Sequence, residues 1–397
     1  MAPVTASSNL KENTMLQDDE LEETSQMIIR DLFRAQNITQ SPTIYFLVSN
    51  KINAGATARS TIIIYTAFVL ACDNVHEFIG VMAHETAHIQ GGHFALSQHH
   101  FQNASIPGIL AIALSGIAAI ASGSGEVFAA GTMGGMSMME RGMLKFSRTQ
   151  EDSADAGALN ILKRFGWSAK GLKTFLEKLD QKFSSFTDDP YLLTHPITAE
   201  RISKLNAHLA QETHADKTPP MYAERFERMR GKIFGFTQEP HKTLIHYTNQ
   251  NSTEAHYARA IAYFRMRNHK AFEKEMDMLL KNNPNDTYFL ELKGQALFEM
   301  GKHGQALSYF TQARKNRTKN SFGLDIMTSQ AIIQSKGDYQ EVIKLLHPHL
   351  ARDPEQPFAW RLLGNAYSAL GQSADASGCL AEAFYWSGEH DAAKIHA

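Results

Sequence analysis

The sequence predicts an α+β domain, mainly helical with a small β-sheet, followed by an all-α repeat solenoid. Three observations carry this prediction. Residues 43–48 and 61–65 are β-branched and aromatic runs that read as strands of a small sheet. Residues 77–89 form a helical run that is apolar nearly all round yet contains His84, Glu85 and His88. In the last third of the chain, helix-like segments recur with a turn residue every 34 to 36 positions. At 397 residues the chain is long enough for two or more domains. We place these at 1–214, a linker with a short helix at 215–251, and 252–397.

The first helix is expected within residues 15–36, where Leu16, Leu21, Met27, Ile28, Leu32 and Phe33 keep helical spacing and acidic residues gather near the start. The two strands follow, separated by the Gly- and Ala-containing residues 53–56. Next comes His84-Glu85-Thr86-Ala87-His88. Residues four apart on a helix share a face, so both imidazoles can converge on one Zn²⁺. A hydrolytic zinc keeps one position for water, and a carboxylate beside it must take the proton as that water attacks a carbonyl. Glu85 is the residue placed to do so. A surface pair of histidines is the alternative, and the apolar neighbours Phe78, Ile79, Val81, Met82, Ala83, Ala87 and Ile89 argue against it. Three polar groups on a buried helix must find partners, and a metal supplies them. The domain is therefore expected to be a zincin-like metallopeptidase.

A second helix is expected from His93 to about Gln102, followed by an apolar run over residues 106–121. That run is shorter than the roughly 20 residues needed to span a bilayer, so the chain reads as soluble with a membrane-touching element. Residues 122–142 are rich in Gly and Met. They read as core helix and loop, as a mobile cover over the active site, or as a patch that touches membrane or an unfolded client. Residues 147–162 start another helix and bear Glu151 and, one turn on, Asp155. Two histidines and one carboxylate make a hydrolytic zinc set, so Glu151 is chosen as the third ligand. Asp155 is placed to receive an imidazole N–H and fix its tautomer. Pro196 holds His195 in an extended conformation ahead of a helix capped by Thr198. His195 reads as a donor to the transition state, as a plug on the open zinc position, or as a plain loop histidine.

From 215 the composition turns polar, with Pro219, Pro220 and Pro240. Beyond it Arg267, Gly301, Gly337 and Gly371 mark successive repeats. Trp360, Leu363, Gly364 and Tyr367, followed by Ala376 and Ala383, give the tetratricopeptide pattern, and Leu290, Gly294, Leu297, Ala306, Phe310 and Ala313 match it two repeats' length earlier. About four helix pairs are expected, close-packed at Gly294, Gly364, Ala306 and Ala376. Such a solenoid binds peptide or protein and does no chemistry. A net charge of −2 provides no basic field for nucleic acid. Cys72 and Cys379 fall in different predicted domains and form neither a disulfide framework nor a Cys metal site. No signal peptide opens the chain as given, which suits either a cytosolic protein or a mature secreted form.

From about Leu32 to its end the chain resembles the BepA-type periplasmic zinc metalloproteases, HtpX-related enzymes with a tetratricopeptide tail. The likeness runs through Ala83-His84-Glu85-Thr86-Ala87-His88, Ser147-Arg148-x-x-Glu151-x-x-Ala154-Asp155 and Thr194-His195-Pro196-x-x-x-x-Arg201-Ile202. It implies His84, His88 and Glu151 as zinc ligands, Glu85 as general base, and His195 and Arg201 as active-site residues, with His195 a candidate extra ligand. It also implies a periplasmic location, unfolded or misassembled outer-membrane proteins as substrates, and a tail that docks client or outer-membrane assembly machinery. The chain departs from the family pattern at residues 53–60, at Ser153 where Glu is common, and at Gly92 where Arg is common; none of these removes a ligand. A reading of another class is a tetratricopeptide chaperone or adaptor whose zinc site is structural or silenced.

Overall fold

The computed structural model describes residues 12–56, 61–93, 146–183, 191, 194–212, 216–317 and 319–397. The expected apolar run at 106–121, the Gly- and Met-rich segment at 122–142 and nearly all of the second helix expected after His93 lie outside those residues. Two units divide between Glu239 and Pro240.

In the first unit, β1 (Met15–Leu16) precedes α1 (Asp19–Ala35), where one longer helix was expected. Asp18 is the reason. Its carboxylate accepts from the backbone N–H of Glu20 and Leu21, both at 3.1 Å, and so caps the helix, while Met15 and Leu16 pair with Leu47 and Phe46. The runs expected as strands form β2 (Thr43–Leu47) and β4 (Thr61–Tyr65), which lie parallel with Tyr45 opposite Ile63. The segment between them is not only a turn. Residues 54–56 form β3 (Ala54–Ala56), antiparallel to β4 with Gly55 opposite Ile63, and the sheet order is β1-β2-β4-β3. The edge strand β3 therefore ends beside the histidine helix.

After α2 (Thr66–Ala71) comes α3 (Val75–Gln90), capped by Asn74 and buried on every side from Glu77 to His88. It packs against α4 (Arg148–Phe165) and α5 (Lys170–Phe183) as well as α1 and β3. Missing side chains permit this closeness. A Cβ on Gly157 of α4 would stand 2.6 Å from the Ala87 methyl, and one on Gly171 of α5 would collide with the His76 carbonyl. The Gly157–Ala87 contact lies next to His88, one turn from His84, and nearly two turns along α4 from Glu151.

α6 (Ala199–Ala210) begins at Thr198, whose hydroxyl accepts from the Arg201 N–H, as expected. Residues 215–251, expected to be linker, are largely helical: α7 (Pro220–Thr237) packs on α1, α2 and α3, and α8 (Pro240–His246) opens the second unit. The charged residues of this segment concealed an apolar stripe. Tyr222, Phe226, Met229 and Ile233 are buried at helical spacing, and Arg228 and Lys232 on the same helix pair with Glu20 and Asp18 of α1, each at 2.7 Å.

The second unit contains four helix pairs among the described residues: α9 (Thr253–Arg265) with α10 (His269–Asn282), α11 (Thr287–Glu299) with α12 (His303–Asn316), α13 (Phe322–Gln334) with α14 (Tyr339–Leu350), and α15 (Pro357–Ala369) with α16 (Ser373–Trp386). α17 (His390–His396) follows. This is the all-α repeat half of the expected fold. Each turn within a pair needs one left-handed residue, supplied by Arg267, Gly301, Lys336 and Gly371. In the third pair that residue is Lys336, one position before the glycine on which the repeat was read. The close approach expected at Gly294 is present, since a Cβ there would stand 2.6 Å from the Phe310 ring. No helix of the described residues is long and apolar enough to cross a membrane.

Gly157→Ala is expected to push α4 from α3, lowering stability by about 1–3 kcal/mol through overpacking. Because α4 carries Glu151, metal affinity should fall with it. Chemical denaturation and a chelator titration of the same variant measure both, and a variant matching the parent in each would show that α3 and α4 are free to separate.

Candidate metal centre

His84 and His88, one turn apart on α3, are fully buried, with ring centroids 4.6 Å apart and their Nε2 atoms 3.0 Å apart. Glu151 comes from the first turn of α4. Ser147 caps that helix in a capping box with Gln150, which sets where the first turn stands. Glu151 Oε2 lies 3.4 Å from His84 Nε2 and its Oε1 3.3 Å from His88 Nε2. His195, at a bend where an extended conformation was expected, donates its backbone N–H to the Tyr191 carbonyl at 2.7 Å and brings its Nδ1 to 3.1 Å from Glu151 Oε1 and its Nε2 to 3.5 Å from Glu85 Oε1. One ligand atom from each of His84, His88, Glu151 and His195 lies within 4.8 Å of the others.

The surrounding residues hold these four in place. Asp155 Oδ1 faces His84 Nδ1 at 2.9 Å, the partnership expected from its spacing to Glu151. Arg201 explains why both carboxylates tolerate burial. Its Nε and Nη2 donate to Asp155 Oδ2 and Oδ1 at 2.7 and 2.9 Å, and its Nη1 lies 2.6 Å from Glu151 Oε2 and donates to the Pro196 carbonyl at 3.0 Å. The guanidinium thus joins α4, α6 and the His195 loop in one contact, and touches neither Glu85 nor the open side of the histidines through these bonds.

Three groups escaped the sequence reading. Phe146 stacks on His88 with centroids 4.0 Å apart, Tyr191 stacks on His195 at 4.9 Å, and His93 Nδ1 faces His88 Nδ1 at 2.8 Å. No periodicity marks them, because Phe146 lies ahead of a helix and His93 and Tyr191 each stand beside residues outside the described ones. Their signal is adjacency: Phe146 precedes the Ser147 cap, Tyr191 precedes Thr194, and His93 follows the two glycines that end α3.

The donor set fits a divalent cation. Among Glu85, Glu151, Asp155 and Arg201 the buried charges leave two negatives unbalanced when the histidines are neutral. Glu85 Oε1 has no hydrogen bond, and its other oxygen accepts from the edge-strand N–H of Ala56 at 3.3 Å. Two imidazole nitrogens on a tetrahedral Zn²⁺ at ~2.0–2.1 Å stand ~3.3 Å apart, close to the separation of the two Nε2 atoms. The proton equilibria show the same deficit of positive charge. Burial alone would lower His84, but the Glu151 charge and the Asp155 hydrogen bond push it up to about 9. Burial takes His88 the other way, down to about 2. Burial also raises Glu85, opposed by His195 and His84. Against burial, the hydrogen bond and charge of His84 and the Arg201 fork hold Asp155 down at about 2. Without an ion, a proton on His84 is what the carboxylates draw in.

A model of Peptidase family M48 matches residues 19–209. The chain is 26% identical over 365 residues to a beta-barrel assembly-enhancing protease of Escherichia coli O157:H7, covering 90% of this chain and 74% of that protein. It is 24% identical over 363 residues to the protein of the same name from Yersinia pestis, covering 89% and 73%. Among solved structures, YrrB, a TPR protein with an unusual peptide-binding site, aligns with 55% of this chain and 96% of its own at 14% identity and a TM-score of 0.33, a likeness that carries no weight here.

Removing the guanidinium strands two buried carboxylates. Arg201→Met is expected to cost about 3–5 kcal/mol in urea denaturation of the metal-free protein. Arg201→Lys should recover little of this, because an ammonium cannot span Asp155 and Glu151 together. A parent-like midpoint in Arg201→Met would show that the carboxylates do not depend on it.

Proposed function

Residues 19–209 belong to peptidase family M48, and from that premise we propose that the chain is a zinc-dependent endopeptidase acting on unfolded or misassembled proteins, with its repeat unit holding client or assembly machinery. The observation that carries the reading is Glu85: a fully buried carboxylate whose Oε1 makes no hydrogen bond among the described residues and has only His195 Nε2 at 3.5 Å, set between two histidines that face Glu151. A protein that only needed a structural metal would gain nothing from burying that oxygen without a hydrogen bond, which argues against a silenced site.

In this reading His84, His88 and Glu151 would hold zinc, which when bound supplies Lewis-acid polarisation of the scissile carbonyl and acidifies water. Glu85 takes the proton of the attacking water on Oε1 and passes it to the leaving amine. Asp155 keeps the proton of His84 on Nδ1, and Arg201 keeps Asp155 and Glu151 in register. An extended substrate adding alongside the edge strand β3 would pass Glu85, since Ala56 of that strand already touches its carboxylate. His195 sits between Glu85 and Glu151, where it either donates to the oxyanion or occupies the open position as a plug.

The relatives' shared name supports outer-membrane β-barrel proteins as clients and assembly machinery as a partner of the repeats. A periplasmic location, with peripheral membrane contact, belongs to the same proposal. Nucleic acid has no part in it.

Glu85→Gln is expected to lower cleavage of an unfolded β-barrel protein by about 10²–10⁴-fold while zinc stoichiometry stays at the parent's level. Loss of the ion from that variant, or parent-like cleavage, would remove Glu85 from the role of base. His195→Ala separates its two roles in a basal-cleavage assay: a higher rate marks a plug and a lower rate an oxyanion donor. An unchanged rate leaves His195 a loop histidine.

A further inference from the structure

One buried imidazole of the centre serves neither as candidate ligand nor as base. His93 is 6% exposed, lies three residues beyond the end of α3, and turns its Nδ1 to 2.8 Å from His88 Nδ1. The backbone is shaped to return it there. Gly91 closes the helix, Gly92 takes a φ of 62°, and a Cβ on Gly91 would stand 2.5 Å from His93 Nε2 and 2.9 Å from two of its ring carbons. The ring therefore folds back across a bare Cα, and a side chain at 91 would have to displace it. The Gln150 amide, part of the cap that places Glu151, reaches the His93 carbonyl at 3.5 Å.

We propose that His93 is a positioning residue of the metal centre, accepting a hydrogen bond from His88 Nδ1–H and so holding the His88 Nε2 lone pair toward the ion. The proposal rests on the reading of His88 as a metal ligand. Proton counting fixes the direction of the bond. A neutral imidazole that gives one nitrogen to an ion keeps its single proton on the other. If His88 gives Nε2, its Nδ1 carries the proton, and His93 Nδ1 must offer a lone pair, which leaves the His93 proton on Nε2. The two ligand histidines are then held by different means. His84 is held by the Asp155 carboxylate at 2.9 Å and His88 by a neutral ring. A neutral acceptor suits this position, because a fourth carboxylate would deepen a negative charge that the cluster already fails to balance.

The test uses the full chain loaded with zinc, with affinity read by chelator competition, the visible spectrum of the Co²⁺-substituted protein, and the unfolding midpoint of the metal-free form. His93→Phe keeps a ring of similar bulk and removes the acceptor. It is expected to weaken zinc about 10- to 100-fold and alter the Co²⁺ spectrum at an unchanged metal-free midpoint. Gly91→Ala should do the same by displacing the ring, and His93→Asn, whose Oδ1 can replace Nδ1, should recover most of the affinity. Parent-like affinity and spectrum in both His93→Phe and Gly91→Ala overturn the proposal. So does an asparagine variant no better than phenylalanine, or a loss of affinity matched by a fall in the metal-free midpoint, which would make His93 a packing residue. His88→Ala in parallel separates the proposal from its premise. If His88→Ala binds zinc as tightly as the parent, the ligand reading fails and the His93 role with it; if it loses zinc while His93→Phe keeps it, only the His93 role fails.

Discussion

The catalytic unit is organised around an imbalance of charge. Glu85, Glu151 and Asp155 are all buried, and Arg201 is the cation that reaches two of them. Burying unpaired carboxylates is strongly unfavourable, so positive charge among the histidines stabilises the fold. A divalent ion balances the remainder, and a proton on His84 is the partial substitute. The arrangement also explains why Arg201 sits behind the carboxylates. In front, it would repel the ion; behind, it neutralises Asp155 and one side of Glu151 while leaving the histidine face open to a second cation.

That constraint shapes the packing around it. An imidazole pair and three carboxylates can be held to fractions of an ångström only by elements that do not shift, and α3 is fixed by near-contact with α4 and α5 through Gly157 and Gly171. The capping box at Ser147 and the Thr198 cap of α6 are the two points at which chain direction is set just before Glu151 and just before Arg201. Each cap therefore does more than end a helix. It sets the register in which a charged side chain enters the site.

Much of this could be read from sequence because several features are local. The spacing of His84, Glu85 and His88, the one-turn separation of Glu151 and Asp155, the Pro196-to-Thr198 helix start and the tetratricopeptide pattern all follow from fixed geometry over a few residues. What the sequence concealed is of another kind. α7 read as linker because the helix is laden with charge and its apolar stripe finds α1 about 200 positions earlier in the chain. β3 was hidden because Ala-Gly-Ala has little strand propensity and is a strand only by pairing with β4. His93 was read as the start of a helix, and it is helical in the structure, but its place beside His88 comes from the turn at Gly91 and Gly92, which spacing does not reveal. The third repeat was read on Gly337 although Lys336 makes the left-handed turn, because glycine is the common but not the required residue there.

The two units draw on different sources of stability. In the repeat half, buried and half-buried ion pairs join residues close in sequence: Arg259 to Glu275, Arg314 to Asp325, and Asp325 to His349. Each joins a helix to one nearby in the stack, so the array needs no distant segment to complete it. In the catalytic half the decisive pairs span 44 residues for His195 and Glu151, 46 for Arg201 and Asp155, and 208 for Arg228 and Glu20. No single segment forms the centre, and an ion that binds it draws together α3, α4 and the loop before α6 at once, so its binding free energy becomes folding free energy of that unit alone. A chain built this way can lose and regain its metal without altering the ion pairs that join the described helices of the repeats.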